Sequence, residues 1–273
     1  MNETILTDAS MVVVRPNWTP DGRAIVFEER RGQTSCLHRY DLRSGRVSPL
    51  DAANADATIT QGRVAFFGED DFAYVSNRSG QAAIWRSSGD VQVQLTRPPP
   101  GATDYGPATA ASLRGGFLFF RKLQDAPHPH ICRGHVEDPE HVGVPTLPHG
   151  DQPWPFDGGF VFHSTGEDGD SVWLQRLDRD EAPRQLLGGL GLSYVTPFPS
   201  PDGKRFAHAV RRDGVTRIAV TMRDVIEPSF LSAAPSMFPA WKPDGEEIVA
   251  VRGEPFADEP SGRLVRISIA PVT

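Results

Sequence analysis

The sequence predicts an all-β, six-bladed β-propeller of four-stranded antiparallel blades, and three observations carry that prediction. Glycine (26) and proline (25) are abundant among 273 residues; one raises the entropy lost on folding and the other removes a backbone donor, so long helices are disfavoured. A Pro-Asp-Gly turn recurs along the chain at a near-constant interval, and short apolar runs of strand length flank each copy.

Pro16-Asn17-Trp18-Thr19-Pro20-Asp21-Gly22 leads into Ala24-Ile25-Val26-Phe27. Pro197-Phe198-Pro199-Ser200-Pro201-Asp202-Gly203 leads into Arg205-Phe206-Ala207-His208, and Pro239-Ala240-Trp241-Lys242-Pro243-Asp244-Gly245 into Glu247-Ile248-Val249-Ala250. A looser copy, Pro153-Trp154-Pro155-Phe156-Asp157-Gly158, precedes Phe160-Val161-Phe162. Each reads as strand, turn, strand, because proline presets φ and glycine permits a positive one. Asp21, Asp202 and Asp244 are therefore turn residues rather than catalysts. Asp157, Asp202 and Asp244 stand 45 and 42 residues apart, and Asp21 stands 49 before Asp70 in the degenerate turn Phe67-Gly68-Glu69-Asp70-Asp71. The 87 residues from Asp70 to Asp157 hold two periods, with a turn at Arg114-Gly115-Gly116 and the strand Phe117 to Phe120 between them. Six units of about four strands follow, the period of a propeller blade. One domain, 1–273, divides into blades at approximately 10–52, 53–97, 98–147, 148–188, 189–232 and 233–273, the last completed by 2–8.

These units resemble the TolB-like, PD40-type (WD40-like) β-propeller repeat, whose pattern is roughly Pro-x-Trp-Ser-Pro-Asp-Gly, an apolar strand, an Asn-Arg-x-Gly turn, an Ile-Trp/Tyr strand and a closing Leu-Thr. Phe72-Ala73-Tyr74-Val75-Ser76-Asn77-Arg78-Ser79-Gly80-Gln81, Ile84-Trp85 and Gln94-Leu95-Thr96 match it best after the turn. The resemblance extends over nearly the whole chain. It implies the architecture and leaves the activity open, since one scaffold hosts many functions. The third blade departs most: it lacks Pro-Asp-Gly and carries a long, histidine-rich segment from Gln124 to Pro148.

With strands lettered A to D outward from the axis, the sixth unit reaches its C strand at Arg263 to Ser268 and has no D strand after it. Glu3-Thr4-Ile5-Leu6-Thr7 reads as a closing strand without a blade, so it is expected to pair into the sixth blade and close the ring, protecting strand edges.

The formal charge of −7 and the absence of any Lys/Arg run argue against a nucleic-acid or anionic-membrane partner. The first residues carry Glu3 and Asp8 beside only a short apolar run, Met11 to Val14, neither a secretory signal nor a membrane span. The expectation is a soluble, cytoplasmic monomer. Cys36 and Cys132 read as reduced thiols, not a disulfide framework.

Propellers bind at the channel mouth, on the face carrying the D-to-A and B-to-C loops. Five of the eight histidines, His128, His130, His135, His141 and His149, fall within this stretch of the third blade and its exit. His128 and His130 share a strand face, and His149 stands in the next D-to-A loop; the three are candidate ligands for a divalent metal acting on a water or carbonyl. The resemblance points the same way, since some propeller lyases similar to this family hold a histidine-bound metal in the channel. Arg15, Arg63 and Gln152 are placed just before their A strands, and Glu29, Arg121 and Arg252 at the top of B strands. Converging guanidinium groups would favour a carboxylate or phosphate, unless Glu28, Glu29, Asp104 or Asp151 pair with them. His163 and His208, both in B strands, are candidate general bases. Tyr105, Trp154, Tyr194 and Phe238 are candidates for an aromatic wall, whereas Trp18 and Trp241 belong between blades. No nucleophile elbow, phosphate-cradling loop or dinucleotide fingerprint is present. Prolyl oligopeptidases carry similar propellers, but no α/β-hydrolase domain accompanies this one. Two functions fit: a module binding a small molecule or protein at the mouth, or a small-molecule lyase, cyclase or hydrolase working in the funnel.

Overall fold

The structure, a computed structural model, describes residues 3–143, 149–166, 169–189, 191–223 and 227–269. Among these, the strands form six four-stranded antiparallel sheets, the blades expected from the turn spacing. Residues 144–148 of the histidine-rich segment, 167 and 168 of the fourth B-to-C loop, and the His141 side chain lie outside the described part. Among the described residues, helix is confined to one turn at Asp51–Asn54 and a 3₁₀ turn at Ala111–Leu113.

The innermost strands are Val12–Trp18, Thr60–Gly68, Ala102–Ala108, Asp151–Phe156, Ser193–Pro199 and Ser236–Trp241. Each packs against the next, and the last against the first, so they enclose a channel. The sixth sheet takes its outermost strand, Glu3–Ile5, from the start of the chain, with Glu3, Thr4 and Ile5 opposite Ile267, Arg266 and Val265. The backbone N–H of Leu264 donates to Thr7 Oγ1 at 3.0 Å, and that of Leu6 donates to the Leu264 carbonyl at 2.8 Å.

The core lies between blades, where apolar strand faces meet across the sheet twist. Trp18 packs with Ala240, Val249 and Leu264 of the preceding blade. Its indole N–H donates to the Ala240 carbonyl at 3.2 Å, and that of Trp241 donates to the Phe198 carbonyl at 3.0 Å. The turn aspartates behave as the motif requires. Thr19 Oγ1 donates to Asp21 at 2.6 Å and Ser200 Oγ to Asp202 at 2.5 Å; these bonds hold both carboxyls below the usual carboxylate range.

Every innermost strand breaks its ladder at the same height, and one residue there takes a positive φ: Arg15 (49°), Arg63 (61°), Gly106 (60°), Gln152 (51°), Thr196 (53°) and Phe238 (56°). Proline follows in five of the six, at Pro16, Pro107, Pro153, Pro197 and Pro239, where its missing N–H costs nothing because the ladder is already broken. Arg15, Arg63 and Gln152 thus stand within their strands, on bulges, rather than before them as the repeat alignment placed them. A bulge re-aims its side chain, and here six bulges form a collar around the channel. Only glycine fits the third position, since a Cβ on Gly106 would lie 2.7 Å from the Phe120 ring.

Candidate functional site

Above the collar lies a cavity of about 380 Å³, lined by Arg15, Arg63, Gln152 and Phe238 of the collar, Gln61, Tyr105 and Asp151 beside it, and Phe120, Lys122 and Phe256 from B strands and a B-to-C loop. Its cations outnumber its carboxylates, and aromatic rings form the rest of the wall. A wider depression of about 720 Å³ on the opposite face is bordered by turn residues such as Asp157, Asp202 and Gly203.

The arginines nominated for ligand binding divide sharply. Arg121 forks onto Asp104 with bonds of 2.6 and 2.9 Å, and Asp104 is wholly buried. Arg15 reaches the buried Glu28 at 2.8 Å, and Arg252 pairs with Glu3 of the closing strand. Arg63 differs. It crosses the channel from the second blade to the fourth, where its guanidinium donates to Gln152 Oε1 at 3.1 Å and to the carbonyls of Gln152 and Pro153 at 3.3 and 3.2 Å. Its Cζ lies over the Trp154 ring, 4.3 Å from the centre, a contact that arginine's weakly hydrated head favours. Among the described residues no carboxylate pairs with it, and its buried Nε finds no acceptor. Burial pulls Arg63 down to about 9, Asp151 opposes that shift and Arg15 adds to it; at neutral pH it remains a cation.

Asp151 is held from behind. His163 Nδ1 lies 2.6 Å from Asp151 Oδ1, its Nε2 lies 3.1 Å from Asp170 Oδ1, and Thr165 Oγ1 donates to the same Asp170 oxygen at 2.8 Å. Two carboxylates facing two ring nitrogens are both satisfied only by imidazolium. Burial would lower His163, but the bonds to Asp151 and Asp170 outweigh it and the net shift is upward. Among the described groups, each nitrogen already faces a carboxylate, and His163 holds Asp151 in place. His208 is wholly buried and packs edge-on against Tyr194 at 5.4 Å. Burial drives it to about 3, leaving it neutral, and it does not line the cavity. Tyr194 is likewise in the core rather than the rim. Trp154 lies under Arg63, and Tyr105 lines the cavity.

The three metal-ligand candidates do meet: the His149 ring is 5.3 Å from that of His128 and 5.2 Å from that of His130. They sit at the surface and are absent from the cavity lining. Among the described residues, the one set of three metal-binding side chains with donor atoms within 4.8 Å of one another is instead Glu29, Cys36 and His38 in the first blade. Sequence reasoning passed over this set, and it passed over Lys122, Phe120 and Phe256 as cavity residues, because the partners come from different strands or blades.

No family model matches the chain, and no curated protein matches it. Solved structures do. A protein assigned as TolB from Agrobacterium tumefaciens superposes with a TM-score of 0.73 at 18% identity, over 98% of this chain and 94% of that one. TolB from Acinetobacter baumannii gives 0.67 at 15% identity, over 87% and 59%. Oligogalacturonate lyase from Vibrio parahaemolyticus gives 0.62 at 14% identity, over 98% and 93%. The fold is that of a TolB-like six-bladed β-propeller, and at such identities the likeness is one of fold alone.

Proposed function

With the TolB-like propeller as premise, we propose that this protein is a binding module holding a small, carboxylate-bearing ligand with an apolar or planar body in the channel mouth. The observation that carries this reading is Arg63: a guanidinium deep in the channel, bonded only to neutral oxygens, with an N–H unpaired. A half-buried cation without a counter-ion is costly, and a ligand carboxylate would supply the missing charge. Lys122 offers a second positive group, the rings of Tyr105, Phe120, Phe238 and Phe256 a wall for the ligand body, and Asp151 an acceptor for a ligand hydroxyl or amine. A concave cavity of about 380 Å³ is of small-molecule size, whereas a protein partner wants a broad, flatter surface. No helix among the described residues is long and apolar enough to cross a membrane.

The test is a thermal-shift and calorimetric screen of aromatic and sugar monocarboxylates against their neutral amides. Carboxylates should bind and amides should not, and Arg63→Met should abolish the distinction. Equal binding of acid and amide, or a carboxylate held as tightly by Arg63→Met, would overturn the reading.

The second reading, a lyase, cyclase or hydrolase assisted by a divalent metal, rests on the convergence of His128, His130 and His149. The rings meet at about 5 Å, but their nitrogens do not all come within 4.8 Å of one another; an ion there would need the side chains to turn inward, and it would then supply Lewis-acid chemistry at the rim. Their place outside the cavity lining makes this the weaker of the two. Metal bound stoichiometrically, and lost in a His128→Ala, His130→Ala variant, would support it.

A further inference from the structure

The first blade holds a cluster with no part in that cavity. Glu29 and Cys36 face each other across the pairing of Ala24–Arg31 with Thr34–Asp41, and His38 lies two residues beyond Cys36 on the same strand face. His38 Nε2 is 2.8 Å from Glu29 Oε2 and 3.2 Å from Cys36 Sγ, and Sγ is 3.9 Å from the same Oε2. The Phe27 ring stacks on the imidazole at 5.7 Å with an interplanar angle of 19° and fixes its plane. Glu29 and His38 are buried, whereas Cys36 is partly exposed and gives access from solvent.

A nucleophilic cysteine would need a different arrangement. There, one imidazole nitrogen faces the thiol and the other faces the orienting carboxylate. Here both partners converge on Nε2, while the buried Nδ1 has no partner. Three donors of different chemistry turned to one point is the disposition of ligands around a cation. A tetrahedral ion with bonds of about 2.0–2.3 Å holds its ligands roughly 3.3–3.6 Å apart; the present separations depart from that by a few tenths of an ångström. Thiolate, imidazole and carboxylate together select the zinc class over the hard cations magnesium and calcium.

We propose that Glu29, Cys36 and His38 form a site for one transition-metal ion of the zinc class, with its fourth position open to solvent. On binding, the thiol loses its proton to water, and Cys36 and Glu29 neutralise the dication. The Arg31 guanidinium, 2.8 Å from Glu29 Oε2 on a largely exposed side chain, is the competing partner. Only the Arg31 end of this pair is exposed, and its long side chain can swing into solvent when the ion takes its place.

Cobalt(II), a spectroscopic stand-in for zinc, tests the site in untagged full-length protein carrying His128→Ala and His130→Ala, which removes the rim imidazoles. One equivalent should bind with a tetrahedral visible spectrum and a thiolate-to-cobalt charge-transfer band, and zinc should displace it. Cys36→Ser should erase the band and weaken zinc by more than the roughly 10–100-fold cost of losing an outer partner. Cobalt that fails to bind, binds without the thiolate band, or binds Cys36→Ser equally well would overturn the proposal. Should Cys36→Ser not fold, the spectrum of the protein with its cysteine intact decides alone.

Discussion

Arg121 and Arg63, both candidates for holding a ligand, are fixed in opposite ways. Arg121 gives two short bonds to a wholly buried aspartate, and each charge satisfies the other. Arg63 reaches across the channel to neutral oxygens and keeps an N–H unpaired. A guanidinium with its carboxylate already in place belongs to the scaffold, whereas one half-buried without a counter-ion has capacity left for a ligand. Arg15 with Glu28, and Arg252 with Glu3, fall on the scaffold side.

Removing residues 1–9 tests that division most severely. It strips the outer strand from the sixth blade and takes Glu3 from Arg252, so an exposed edge and an unpaired arginine appear together. A large fall in melting temperature is expected, and an unchanged one would show that the ring does not close through this strand. Next comes Arg121→Met, which leaves Asp104 buried and uncompensated. It should cost about 3–5 kcal/mol in chemical denaturation, most of it recovered in the double variant with Asp104→Leu. Arg63→Met should behave in the reverse sense. Folding stability changes little, because the charge lost is half-buried and has no counter-ion, while affinity for a monocarboxylate falls on the order of 10–100-fold. If Arg63→Met unfolds the protein as Arg121→Met does, the two arginines are alike after all.

The smallest effect concerns His163. Its folded-state pKa stands above the roughly 6.5 of an unfolded histidine. Its contribution is therefore complete below that pH and is lost as pH rises through the raised value. Melting curves between about pH 5 and 9 should show this decline, and His163→Gln should flatten it. An identical profile in the variant would remove His163 as the group that holds Asp151.

The repeat was legible because its cause is local. A Pro-Asp-Gly turn is set by the φ preferences of adjacent residues, and the intervals between copies count the blades without reference to any contact. The pairing of Glu3–Ile5 with the last blade could also be reasoned out, because a ring lacking one strand leaves an edge. The residue roles were less accessible. Nothing near Arg63 in the chain distinguishes it from Arg121, since their partners, Gln152 and Asp104, lie 89 and 17 residues away. His163 looked like a base until its second carboxylate, Asp170, came into place across the hairpin. Glu29, Cys36 and His38 were each visible, but the first was read as a rim charge and the second as an idle thiol.

The order of residues thus dictates six blades and their turns, consequences of short-range backbone preference repeated along the chain, and with them the strand that must cover the edge the last blade leaves open. Which charges are spent on one another, which remains unpaired in the channel, and which three donors share one point depend on side chains brought together from separate strands and blades. Those meetings are set by the curvature of the ring and the bulges of its collar, since charge and coordination act through space rather than along the backbone.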